Sequence, residues 1–316
     1  MEQTDHPQHF GLLQSFDALF PSEDACIDLL FPLRWPQGFV CPFCRTCHPS
    51  IGPRRYPVCP HCGNRSSLTT GTLMHGAKKP LRDWLLTIWW FSAAPFDVSA
   101  KELQRLLGLS CYQTAWTWLQ KLRLAMGRAD HHPCKGVVEV VCDTVAPAYE
   151  RRERALVLTA AEIVLSLNIT GRIRMRHVEG LELNSLLLFL RDTVQPQSTL
   201  VVSEARLLEL LQGSSSYAVA SADPAPSAAQ PTRAQELNRS FETCLHTVHR
   251  GGVTVKHLQL YLDEFCFRNN ASLLPDHQAV FRSLLAGVLA ESIGDYRQVV
   301  QGTAPSRQRQ GRGRTP

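Results

Sequence analysis

The residues best placed to do chemistry are four cysteines in CPFCRTCHPSIGPRRYPVCPHC. Cys41 and Cys44 form one Cys-x-x-Cys pair, and Cys59 and Cys62 form a second after fourteen intervening residues. A two-residue spacer lets a tight turn aim both sulfurs at one metal about 2.3 Å away, and two such turns close a tetrahedral four-cysteine site with no open position. The chemistry expected is therefore a structural zinc ion. Redox-active or simply buried thiols are the competing reading, but the doubled spacing and the Pro42, Pro60 and Gly63 punctuation argue for metal. A segment this poor in apolar residues needs the metal to fold. Cys47, His48 and His61 lie nearby without repeating the spacing, and are expected to be bystanders.

Carboxylates form the second group. Asp143 ends an alternating β-branched run, VVEVVCD, with Glu139 and Val141 on the same face, and Glu204 ends a later strand pattern, TLVVSE. Two carboxylates at neighbouring strand positions offer oxygen ligands to Mg²⁺, and a metal pair can activate a nucleophile and stabilise the leaving oxygen of a phosphodiester. Each residue taken singly reads equally well as surface charge.

The elements that must hold these groups fall into three modules. After a lead-in at 1–24, residues 25–75 read as the zinc ribbon. Residues 76–130 read as an all-α helix-turn-helix segment: a buried helix opens at Pro80, Ser99 and Glu102 form a capping box, Gly108 ends that helix, and another starts at Ser110. On this last helix Ala115, Trp118, Leu119 and Leu122 face inward. Tyr112, Gln113, Thr114, Thr117, Lys121 and Arg123 are left available to DNA, as on a recognition helix. An ordinary helical hairpin is the alternative.

Residues 131–294 read as an α/β core with a mixed sheet. Its first strand is followed by ALVLTA and IVLSLN, a turn at Thr170-Gly171 and RIRMRHV, then by helix, strand and helix. The Ser-, Ala- and Pro-rich stretch 213–232 is expected to be a disordered insertion. Beyond it come a helix with Glu236, Asn238 and Glu242, and a final long helix with Leu258, Tyr261, Leu262 and Phe265 buried. A basic tail, 295–316, closes the chain.

Composition limits the functions open to these modules. The 316 residues are 44% hydrophobic and 19% charged, the balance of a globular protein, and no apolar run is long enough for a membrane span. The start, MEQTDHPQHF, lacks the order of a signal peptide, so a reducing, cytoplasmic setting is expected. Net charge is only +5, but Lys and Arg cluster in 45–65, 101–128, 151–154 and the tail, where they can attract phosphates.

With FPSEDACIDLLFPLRWPQGFVCPFC, CPHC, SLTTGTLMHGAKKPLRDW and TVKHLQLYLDEFCFRNN, the chain resembles the zinc-ribbon insertion-sequence transposases of the ISXO-like group, from about Phe20 to about Asn270. The resemblance implies an RNase H-like core that cuts and joins double-stranded DNA at element terminal repeats, using Mg²⁺, as a homodimer near the bacterial nucleoid. The family's VEVDET is met here by VEVVCDT. Asp143 takes the aspartate's place if one residue is inserted, and Val141 stands there without a gap. Glu204 stands for the aspartate of TDG, one methylene longer, while Asn238 and Glu242 correspond to the third region in altered spacing and without its lysine. Glu264 in YLDEF is a further metal candidate. These departures leave two expectations open: a working transposase, or a repurposed one that binds DNA through zinc without cutting it.

Overall fold

The computed structural model describes residues 7–76, 78–93, 98–147, 154–164, 169–211, 217–221, 231–248 and 252–290. The expected basic tail, Arg151 and Arg152 of the basic cluster at 151–154, and most of the stretch 213–232 lie outside these residues.

The N-terminal part begins with two helices, α1 (Pro7–Leu19) and α2 (Glu23–Arg34). Ser22 caps α2 by accepting the Ala25 N–H at 3.2 Å. The two-residue strands β1 (Phe39–Val40) and β2 (Cys47–His48) follow as an antiparallel pair. Then come α3 (Leu81–Ala93), α4 (Ala100–Leu106) and α5 (Tyr112–Ala129). Both halves of the Ser99/Glu102 capping box form, and Gly108, at φ 56°, ends α4 in a conformation that costs glycine little. The next helix starts at Tyr112, two residues after the Ser110 expected to open it.

Five strands make the mixed sheet: β3 (Val137–Val145), β4 (Ala155–Val164), β5 (Ile169–Val178), β6 (Thr199–Val202) and β7 (Ala218–Ser221). Their order is β5-β4-β3-β6-β7. The β3-β4 and β4-β5 pairs are antiparallel; β3-β6 and β6-β7 are parallel. Helices α6 (Leu183–Thr193) and α7 (Ala205–Leu211) form the crossovers into β6 and β7. On the other face lie α8 (Arg233–Val248) and α9 (Val255–Ala271). The period-two pattern of β3 accounts for this layering: Val138 and Val140 enter the core under α6 and α7, while Val141 and Val145 enter the one under α8 and α9.

The last described helix, α10 (His277–Leu289), returns to the N-terminal part. Phe281 packs on Trp89 and Phe20, with ring centroids 5.2 and 6.0 Å apart, and Gly287 crosses the backbone of α5 at Ala125. The ribbon, α1 to α3, α5 and α10 thus share one hydrophobic core. Three readings of the sequence need correction. Thr170-Gly171 is no turn, because Ile169 to Val178 pairs along β4 as one strand, with a bulge between Ala161 and Ile163. Residues 218–221, inside the stretch expected to be disordered, extend the sheet as β7. The helix through TVKHLQLYLDEFCFRNN is not the final one, since α10 follows it. No helix among the described residues is long and apolar enough to cross a membrane.

Candidate functional site

The carboxylates gather around the C-terminal end of β3. Parallel pairing matches Glu139 with Val201 and Val140 with Val202, so two further steps bring Glu204 level with Cys142, whose N–H donates to Glu204 Oε2 at 2.9 Å. Burial pushes the Glu204 carboxyl up; the Cys142 N–H opposes this, and the charges of Asp143 and Glu139 add to it. Asp143 sits one residue further along β3, where its Oδ1 accepts from the Thr144 N–H at 2.7 Å. On α8, Glu242 Oε1 accepts from the Ala146 N–H at 2.9 Å, and His246 Nε2 lies 2.8 Å from the Ala146 carbonyl. The geometry holds Glu242 at the same strand end as Asp143.

Val141 and Asp143 share a face of β3, separated by one pleat or about 6.7 Å. The β3-β4 ladder is continuous from Val138 to Val145, so no bulge takes up an inserted residue. Val141 is fully buried against α8. Its cross-strand partner Thr159 donates its hydroxyl to Asn238 Oδ1 at 2.7 Å. Asn238 is 2% exposed and its Nδ2 has no partner among the described residues, so this side chain faces the core. Asp143, Glu204 and Glu242 each commit one oxygen to a backbone N–H and supply the hard oxygen donors that suit Mg²⁺. They surround the strand end without converging as a group within 4.8 Å of one another, unlike the cysteines. Glu264, the further metal candidate, lies elsewhere. It bridges Arg123 Nε at 2.7 Å and the half-buried Arg268 Nη2 at 2.8 Å, and is buried with Arg123.

Helix α5 presents less to solvent than its polar residues suggest. Tyr112 and Gln113 are exposed and Thr114 and Lys121 half-buried. Thr117 is buried, its hydroxyl donating to the Gln113 carbonyl at 2.8 Å. Arg123, expected to reach DNA, is 2% exposed, with its guanidinium over the Tyr261 ring and paired to Glu264. Packing of α9 along α5 takes Arg123 out of reach, while Thr117 lies low in a cleft beside Trp84 and Trp118. What remains accessible is the first turn and Lys121.

The ribbon is built from two matching knuckles. Arg45 N–H donates to the Cys41 carbonyl and Gly63 N–H to the Cys59 carbonyl, both at 2.9 Å, while the Cys41 and Cys59 N–H groups reach the Thr46 and Asn64 carbonyls at 3.0 Å. Each turn needs a left-handed residue four positions after its start, and Arg45 and Gly63 adopt φ of 61° and 71°. The four sulfurs lie within 4.8 Å of one another, with Cys41–Cys62 and Cys44–Cys59 at 3.6 Å. The Thr46 hydroxyl and N–H hold the Cys44 thiol down to about 5 and the Asn64 N–H lowers that of Cys62, which favours thiolate at these two positions, while burial pushes Cys59 up to about 11. Four cysteines this close fit structural zinc. Cys41 and Cys59 back onto Phe39 and Trp35 in the core, and Arg34 of α2 donates to the Leu68 and Thr70 carbonyls.

Residues 21–52 match the family model of the transposase zinc-ribbon domain, IS1595 type. The match supports a zinc-ribbon transposase. It spans α2, the β1-β2 pair and the first knuckle, and Cys59 and Cys62 complete the ligand set just beyond it. No curated protein matches the chain.

Inside the matched ribbon, Gly38 shows why the hairpin closes: at φ 99°, a Cβ would meet Pro49 Cα at 2.4 Å. Four nearby residues were not singled out by spacing. His48, taken for a bystander, sets Nε2 3.1 Å from Cys59 Sγ. His75, Lys78 and Lys79 line a cleft with the start of α5, and the one signal for them was the Lys-Lys-Pro that precedes α3.

Proposed function

We propose that the protein is a transposase that binds double-stranded DNA and cuts and joins it with divalent metal. The ribbon and the α4-α5 pair, acting as a helix-turn-helix, would hold element ends, and two copies would hold two ends. The mixed sheet with helices on both faces would serve as an RNase H-like core.

The observation that carries this reading is the position of Asp143 and Glu204 at the C-terminal ends of adjacent parallel strands. From β3 the chain runs to β4 and β5 on one side and returns to β6 on the other, which makes the β3/β6 crevice a switch point where open α/β sheets bind ligands. Asp143, Glu204 and Glu242 would hold Mg²⁺, which supplies activation of an attacking hydroxyl and stabilisation of the departing oxygen. Relative to the family motif, the site would sit one pleat outward, because Val141 fills the inner position and Asn238 bonds Thr159 beside it. Glu242, one helical turn past Asn238, would follow that displacement.

Incubating the zinc-loaded protein with supercoiled plasmid and Mg²⁺ or Mn²⁺ tests this. Nicking is expected, lost in Asp143→Asn and Glu204→Gln. A folded protein that binds duplex DNA but nicks it with neither metal would replace the enzyme with a DNA-binding protein.

A further inference from the structure

The cleft beside α5 is distinct from the carboxylate site and from the zinc ligands. It measures about 570 Å³ and is lined by His75, Lys78, Lys79, Gln113, Thr114 and Lys121, over a floor of Trp84 and Trp118. Among the described residues no carboxylate lines it. The two indoles stack with centroids 3.9 Å apart, and the Lys121 ammonium lies 5.6 Å from the Trp84 ring centre.

Two features go unexplained by folding alone. Lys121 is half-buried, desolvation lowers its pKa, and among the described residues no carboxylate pairs with it. A cation withdrawn from water without a counter-ion costs stability, and the Trp84 face offsets only part of that. Trp84 is 1% exposed, and its indole N–H is buried with no acceptor among the described residues. The cleft also adjoins the start of the 18-residue α5, where Cys111 makes no side-chain cap and the helix dipole is positive. Cations together with amide and hydroxyl donors call for one complement, an anion rich in acceptors.

We propose that this cleft seats a phosphodiester of the duplex DNA backbone, with Lys121 as the inner cation and Lys78 and Lys79 at the rim. The inference rests on the DNA-binding reading above and deepens it: this face of α5 fixes the register of the protein on the duplex, leaving sequence to the exposed Tyr112 outside the cleft. The stacked indoles cover one another and leave little face for an extruded base, which favours backbone over nucleobase.

The test is fluorescence anisotropy of a labelled duplex of arbitrary sequence, for the parent, Lys121→Met and Lys135→Met. Lys135 is an exposed lysine on the turn into β3, so its variant controls for loss of one charge. One lost phosphate contact lowers the slope of log K against log salt by about 0.9, so the parent's advantage over Lys121→Met should shrink roughly three- to fourfold between about 50 and 200 mM salt. The same variant should melt no lower than the parent, because it removes an uncompensated ammonium; a merely structural lysine would show the opposite. Three results would overturn the proposal. Equal slopes for the two variants would remove the phosphate contact while leaving DNA binding intact. Absence of salt-dependent binding in the parent would remove the DNA-binding reading with it. Unchanged DNA binding in Lys121→Met, together with lost binding to polyglutamate, would reassign the cleft to an acidic protein.

Discussion

Replacing Glu264 by Gln isolates one of the contacts that join α5 to the sheet-bearing part of the chain, which also include Gln120 with Tyr261 and Asp130 with Arg172 and Arg174. Glu264 is 1% exposed and Arg123 2%, and the second oxygen of the carboxylate is held by Arg268, so solvent screens little of this triad. Burial alone would raise the carboxyl, but Arg123 and Arg268 outweigh it and hold Glu264 below the usual glutamate range. The amide keeps the shape and removes the charge, leaving Arg123 buried without a counter-ion. Breaking such a pair from one side costs about 3–5 kcal/mol. That is a large part of the ~5–15 kcal/mol that holds a protein folded. At about 2–4 °C per kcal/mol for a sizeable chain, the melting temperature should fall by roughly 6–20 °C.

A pH scan separates charge from shape. Because the folded carboxyl is lowered, its contribution is present above the unfolded value of about 4.3 and is lost as pH falls through the lower folded value. The parent should therefore lose stability on that acid limb while Glu264→Gln shows a flatter one. Circular dichroism melts of both proteins across the limb measure this. Replacing both Glu264 and Arg123 by Leu should recover stability relative to Glu264→Gln, since the most deeply buried cation, Arg123, is then gone and only the partly exposed Arg268 loses its partner. Superimposed melts and acid limbs for the parent and Glu264→Gln would refute the reasoning.

Cys41→Ser, or a strong zinc chelator, should remove the metal and unfold the ribbon, seen as loss of one zinc equivalent and faster proteolysis between Gly38 and Ser66. Glu204→Gln should abolish nicking without lowering the melting temperature at neutral pH. The folded carboxyl is raised, so its ionisation opposes folding as pH increases, and the variant's relative stability should grow through that range. Gly287→Ala places a Cβ 2.2 Å from the Ala125 carbonyl oxygen, where the α5-α10 crossing must open; a loss of about 1–3 kcal/mol in urea denaturation is expected.

What was legible in the sequence was local. The zinc ligands follow from two-residue spacers, the α4 capping box from residues three apart, and the two faces of β3 from strict alternation. Arg123 was misplaced because a charged residue on an amphipathic helix is assigned to water, while the partner that buries it, Glu264, is 141 positions away. Strand β7 carries the small side chains of AVAS and is exposed throughout, so only its parallel pairing with β6 defines it. Thr170-Gly171 has turn composition, yet pairing along β4 overrides it. Asp143 and Glu204 were legible as acids at strand ends. That they are neighbours depends on a β3-β6 register no local pattern encodes.

The return of α10 bears on how the chain is made. Its Phe281 packs on both Phe20 and Trp89, so helices made early are completed by a helix translated well after them. Until Leu289 has emerged, the nascent ribbon and its neighbouring helices expose the apolar surface that this helix will cover. A transcript cut short before His277 would thus yield an aggregation-prone fragment rather than a free-standing N-terminal module.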